Sequence, residues 1–251
     1  MKKLLIFSVL LVIFVSSQAF GTQITFGDTS KYWPGWNNNH SEDSIDVLGI
    51  PNFTGGTATM NGSYLSSIVF TYKADEDLNL WHILKPGDLF IDTGANDTWD
   101  YVGNTNGQND AGSYSVFSVN LSSKKGINDG SYLLSGKDNQ GVWVGYNIRD
   151  DHPLGVNVAG LNSLGSVYFS GWVTPSNLGD VVSSEFNFNQ LPGGGLYIGS
   201  EDFIVGWTVN CANDVVYEEI NNPTPEPATL LLLILGLVGL AALERKRPFL
   251  R

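Results

Sequence analysis

Asp92, Asn96, Asp97 and Asp100 place four oxygen-bearing side chains in the run Asp-Thr-Gly-Ala-Asn-Asp-Thr-Trp-Asp, directly after the apolar stretch Leu89 to Ile91. Ca²⁺ takes about six to eight hard oxygen ligands, and loops with acids or amides at alternate positions supply them. Against the pattern D-x-[DN]-x-[DN]-G, Gly94 stands at the third place and Asp97 at the sixth, so backbone carbonyls would have to serve there. The same residues also suit an Asp/Asn-rich hairpin turn, in which short polar side chains cap their own backbone. Two readings stay open: a candidate Ca²⁺ loop, with no other cofactor expected, and a self-capped turn.

A second cluster is Arg149-Asp150-Asp151-His152-Pro153. Adjacent carboxylates perturb one another, but neighbours on a strand point to opposite faces. The pair converges only if the chain turns at His152-Pro153; otherwise it is a solvated strand exit. The three histidines, His40, His82 and His152, sit in unrelated contexts, and none accompanies a Gly-x-Ser-x-Gly elbow or a zinc motif. The chain reads as non-catalytic. Trp33, Trp36 and Trp99 are candidate stacking platforms for sugars, although a Trp in a β domain is more often core. The single cysteine, Cys211, excludes an internal disulfide and suits a small buried hydrophobe.

The elements that must position these residues are strands. No segment between Phe20 and Asn222 keeps a helical period, whereas several alternate with period two. Ile68, Phe70 and Tyr72 form one face; Phe117, Val119 and Leu121 a second; Val167, Phe169 and Val173 a third. Val142, Val144, Tyr146 and Ile148 form a fourth, and Phe203, Val205, Trp207 and Val209 a fifth. Turn signals fall between them at Asn61-Gly62, Asn104-Thr-Asn-Gly107, Asn128-Asp-Gly130 and Leu191-Pro-Gly-Gly-Gly195. The expected fold is all-β: a single antiparallel β-sandwich, jelly-roll-like, over residues 20–222, with a barrel or β-helix as alternatives.

The two chain ends belong to targeting. Met1-Lys2-Lys3, the apolar Leu4 to Val15 and Ser17-Gln18-Ala19 form a signal peptide over residues 1–19, cut by signal peptidase after Ala19. At the other end a Pro-rich linker, residues 223–227, contains Pro225-Glu226-Pro227. It precedes the uncharged residues 228–243 and a basic tail, 244–251, with Arg245, Lys246 and Arg247. Sixteen residues of helix span about 24 Å, short for a hydrocarbon core of about 30 Å. The basic cluster holds its end in the cytoplasm and leaves the tripeptide at the opposite membrane surface.

In that order, tripeptide, apolar stretch and Arg/Lys cluster resemble the C-terminal sorting signal of PEP-CTERM proteins, which are exported by Gram-negative bacteria. The resemblance covers about the last tenth of the chain. It implies a precursor tethered to the inner membrane by a transmembrane sorting helix. An exosortase-type transpeptidase would recognise the tripeptide and release the protein to the cell surface or extracellular matrix.

Setting the termini aside sharpens the charge. Six of the 13 Lys and Arg lie in segments 1–19 and 228–251, against one of the 25 acids, Glu244. The stretch from Phe20 to Pro227 therefore carries 24 acids and 7 bases, a formal charge of −17. Nucleic acid is excluded as a partner, because its phosphates would be repelled. The expectation is a non-catalytic surface or matrix protein of the biofilm, associated with exopolysaccharide. The alternative is a secreted carbohydrate-binding or polysaccharide-active β-sandwich protein.

Overall fold

The computed structural model describes residues 21–29, 51–75, 78, 81, 84–122, 155–209 and 214–222, with the backbone alone of 136–137 and 143–144. The strands are β1 (Thr22–Phe26), β2 (Asn52–Asn61), β3 (Tyr64–Lys73), β4 (Leu89–Thr93), β5 (Thr98–Asn104) and β6 (Gly112–Ser122). They continue as β7 (Gly136–Lys137), β8 (Trp143–Val144), β9 (Ser163–Phe169), β10 (Val181–Asn187), β11 (Leu196–Tyr197), β12 (Phe203–Thr208) and β13 (Val215–Ile220). No α-helix occurs among the described residues.

Period-two patterning decides which side of each strand is buried. Ile68, Phe70 and Tyr72 of β3 are wholly buried, while Val69 and Thr71 between them are half-buried. On β12, Phe203, Val205 and Trp207 enter the main core and Ile204 enters a second cluster on the other face. Trp207 is the hub of the main core, with ring centroids of Phe70 at 4.7 Å, Phe53 at 5.4 Å and Phe186 at 5.6 Å. Its indole N–H donates to Gly87 O at 3.0 Å, so the burial of the ring leaves no donor unmet.

Turn chemistry sets the register. The β2–β3 hairpin closes on Gly62-Ser63, with Asn61 opposite Tyr64 and Gly62 at φ 60°. Glycine at the first central position gives a two-residue loop whose twist matches the strands. Asn106 and Gly107, at φ 55° and 62°, supply a second turn with both central residues left-handed.

All pairings are antiparallel, and the main sheet runs β1-β2-β3-β10-β9-β6-β5-β4-β12-β13, with β11 also on β3. β7 and β8 pair with each other. The all-β, antiparallel expectation holds, but one continuous sheet replaces the expected stack of two. It curls until β13 approaches β1 and β2, a nearly closed, barrel-like arrangement. The cause is that each strand finds its partner in a neighbour along a single path, so twist accumulates around one core.

Side chains bridge the seam between the two ends of this path. Phe53 N–H at the start of β2 donates to Asp214 Oδ2, and Thr29 N–H and Oγ1 donate to the Glu218 carboxylate of β13. The second cluster lies outside the barrel wall, where Val156 and Val158 pack over Phe90, Trp99, Val102, Ile204 and Val215. The wholly buried Asp88 fastens this cover by accepting from Val156 N–H at 3.1 Å and Thr105 N–H at 3.0 Å.

One expected face is corrected. Val167 and Phe169 are buried on β9, but Val173 lies beyond the strand and is 39% exposed. The expected strand over 142–148 coincides with the described residues only at β8.

Candidate functional site

The loop between β4 and β5 carries the four candidate Ca²⁺ ligands. Asp92, the fourth residue of β4, is wholly buried and turned into the loop. Its Oδ1 accepts from Asn96 N–H and its Oδ2 from Thr98 N–H, both at 3.1 Å. Asp100 Oδ2, on β5, accepts from Thr93 N–H at 2.8 Å and Thr93 Oγ1 at 2.6 Å. Asn96 Nδ2 donates to Thr93 O at 3.2 Å, and Ala95 and Asp97 adopt φ of 48° and 66°.

Two carboxylates thus organise a tight loop by satisfying its backbone. Burial pushes the Asp92 carboxyl above its ordinary range, and the hydrogen bonds from Asn96 and Thr98 only partly offset it. Among the described residues, no group of three or more His, Cys, Asp or Glu is placed to hold a metal ion. The geometry is that of the self-capped turn.

Trp99 alternates with these acids along β5 and points the other way. Its ring is wholly buried, 5.5 Å from Phe90 and 5.9 Å from Tyr217 between centroids. It presents no face to a sugar; it is the centre of the second cluster. Trp33 and Trp36, the Arg149–His152 cluster, Cys211 and the signal peptide lie outside the described residues.

The end of the barrel is built from contacts that no local pattern announces. Asn222 succeeds β13, and its N–H donates to Asp202 Oδ1 at 2.8 Å while its Nδ2 donates to Gly199 O at 3.3 Å. The 198–202 loop is itself anchored, because Ile198 and Gly199 N–H both donate to Ser63 O in the β2–β3 turn. Gly94 N–H donates to Asp202 O at 2.9 Å, which ties in the Asp92 loop. Asn222 is therefore fastened to an end face built from the 62–63 turn, the 93–97 loop and the 198–202 loop. The one sequence signal for this position is that Asn222 precedes a proline.

The segment beyond Asn222 is decisive for assignment. Residues 223–246 match the PEP-CTERM protein-sorting motif.

The match takes in Pro225, Glu226, Pro227, the apolar run 228–243, Arg245 and Lys246, and stops one residue before Arg247. A PEP-CTERM motif implies export, targeting to the cell surface and processing of the exosortase type. It begins at the residue after Asn222, which is hydrogen-bonded to the barrel through Asp202 and Gly199. No curated protein and no solved structure matches the chain.

Proposed function

We propose that the barrel is non-catalytic cargo of its PEP-CTERM tail: an exported surface or extracellular-matrix protein, associated with exopolysaccharide. It is delivered by processing of an inner-membrane-tethered precursor in which residues 228–243 are the sorting helix. The observation that carries this reading is the sorting-motif match over residues 223–246, which begins one residue beyond Asn222, a position hydrogen-bonded to the barrel through Asp202 and Gly199.

Two further observations support it. The buried carboxylates of Asp88, Asp92, Asp214 and Glu218 all accept from backbone N–H groups, which commits them to architecture rather than chemistry. The formal charge of −17 from Phe20 to Pro227 suits a soluble body repelled by nucleic acid and anionic lipid.

Replacing Pro225-Glu226-Pro227 by three alanines in the full precursor tests the sorting role. The expected result is a chain retained at its precursor length in the membrane; normal release of a processed product would refute the reading. A glycan array and a hydrolysis screen on the mature protein test the non-catalytic, exopolysaccharide-associated role. Turnover of any polysaccharide would replace the cargo reading by an enzymatic one.

A further inference from the structure

The spacing between the barrel and the sorting motif restricts what can approach the motif. The chain is fixed to the fold at Asn222, and Glu226 is four residues further on. Even fully extended, four residues reach about 14 Å. A ring of ten strands spaced about 4.8 Å apart encloses an end face roughly 15–20 Å across. Any protein that grips Glu226 must therefore stand against the face from which the chain leaves.

That face has a distinct character. Tyr197 is 58% exposed and forms an edge-to-face pair with Tyr64 at 5.4 Å between centroids. Glu201 is exposed beside the exit, with its Oε2 next to Gly94, and Asp202 holds the exit itself. The two lysines whose side chains are described, Lys73 at the end of β3 and Lys85 before β4, sit toward the opposite end of the barrel. Among the described residues this end face is thus aromatic and acidic, a combination repelled by anionic lipid headgroups and complementary to a basic protein surface.

We propose that this end face, centred on Tyr197 and Glu201, is a docking surface for the membrane-embedded processing enzyme. The enzyme then recognises the folded barrel end together with the Pro-Glu-Pro tripeptide. The inference rests on the proposed sorting role and adds a second recognition element, contributed by the fold. A rim charge acts mainly on the rate of encounter, so its effect belongs in the rate of processing.

The test is a pulse-chase of the full precursor in an exporting host that processes it. Glu201→Lys and Tyr197→Ala change exposed side chains, and Glu201→Gln provides a milder variant should Glu201→Lys perturb folding. Glu201→Lys and Tyr197→Ala are each expected to slow processing by about threefold or more. A flexible Gly/Ser insert of about ten residues between Asn222 and Pro223 frees the motif from the face. It is expected to slow the parent chain and to make Glu201→Lys no slower than the insert alone. Wild-type processing rates for both point variants would overturn the proposal. Faster processing of Glu201→Lys would also overturn it, by pointing to the lipid surface as what the face meets. If replacement of the tripeptide leaves processing intact, the sorting reading itself fails, an outcome separable from either of these.

Discussion

The ring of Tyr72 lies flat on that of Trp172, with centroids 4.4 Å apart and planes inclined by 6°. Both are buried, and Trp81 lies nearly parallel to each of them. The hydroxyl is equally constrained: it bonds Ser184 Oγ at 2.9 Å and accepts from Val173 N–H at 3.0 Å. This contact fastens the 170–173 segment to β3 and so helps close the wall between β9 and β10.

Tyr72 makes the barrel sensitive to alkali. Burial pushes its pKa up to about 12, above an ordinary value near 10. A pKa raised on folding means the folded state holds the proton more tightly, so this stabilisation is complete below about pH 10 and lost as pH rises through 12. Stability is expected to fall by about 1.4 kcal/mol per pH unit in that window. Tyr72→Phe should remove the step and cost about 1–3 kcal/mol at neutral pH, because Val173 N–H loses its acceptor. Urea melts at about pH 8, 10 and 11.5, spanning the window set by that shift, measure both effects.

Asp92→Ala leaves the N–H groups of Asn96 and Thr98 without their acceptor. A destabilisation of about 1–3 kcal/mol is expected, with increased amide exchange confined to the 93–98 loop. Because both oxygens of Asp92 are committed to backbone, adding CaCl2 to the parent protein should leave its melting temperature unchanged. A calcium-dependent rise abolished by Asp92→Ala would restore the metal-loop reading.

Gly56 permits the tight approach of β2 to β3. A Cβ at this position would stand 2.0 Å from Val69 O and 2.6 Å from the Phe26 ring. Gly56→Ala must therefore displace backbone, and a loss of roughly 3 kcal/mol or more is expected from overpacking. Thermal unfolding with both near-ultraviolet and far-ultraviolet circular dichroism would show it; a wild-type melt would mean that the two strands can separate cheaply.

Glu218→Ala tests the seam. Thr29 loses its only bridge to β13 among the described bonds. Faster amide exchange is expected in β1, with the amides of β3 unaffected, since β3 is paired on both edges. Uniform acceleration across the sheet would show that the seam is coupled to the whole barrel.

The strands were largely legible because their residues carry the pattern locally. Ile68, Phe70 and Tyr72 alternate with less buried neighbours, and Gly62 marks its own turn. Val173 was misplaced because the strand pattern runs past Phe169, whereas the Tyr72 hydroxyl takes the Val173 N–H and ends the alternation. Trp99 illustrates the harder problem. Beside Asp97 and Asp100 it reads as a surface aromatic, yet Val156 and Val158, more than fifty residues away, cover it. No local signal reports a cover supplied from so far along the chain.

By itself the sequence determined the strand periodicity, the acidity of the body and the PEP-CTERM signal, because each is written in contiguous residues that act where they stand. The tertiary structure alone decided that one sheet curls into a barrel, that the 156–158 segment covers Trp99, and that Asn222 is held to the 198–202 loop. Those outcomes depend on pairings between residues distant in sequence: Glu218 with Thr29, Asp202 with Asn222, Asp88 with Val156. Such pairings form only when hydrophobic burial has already brought their strands together.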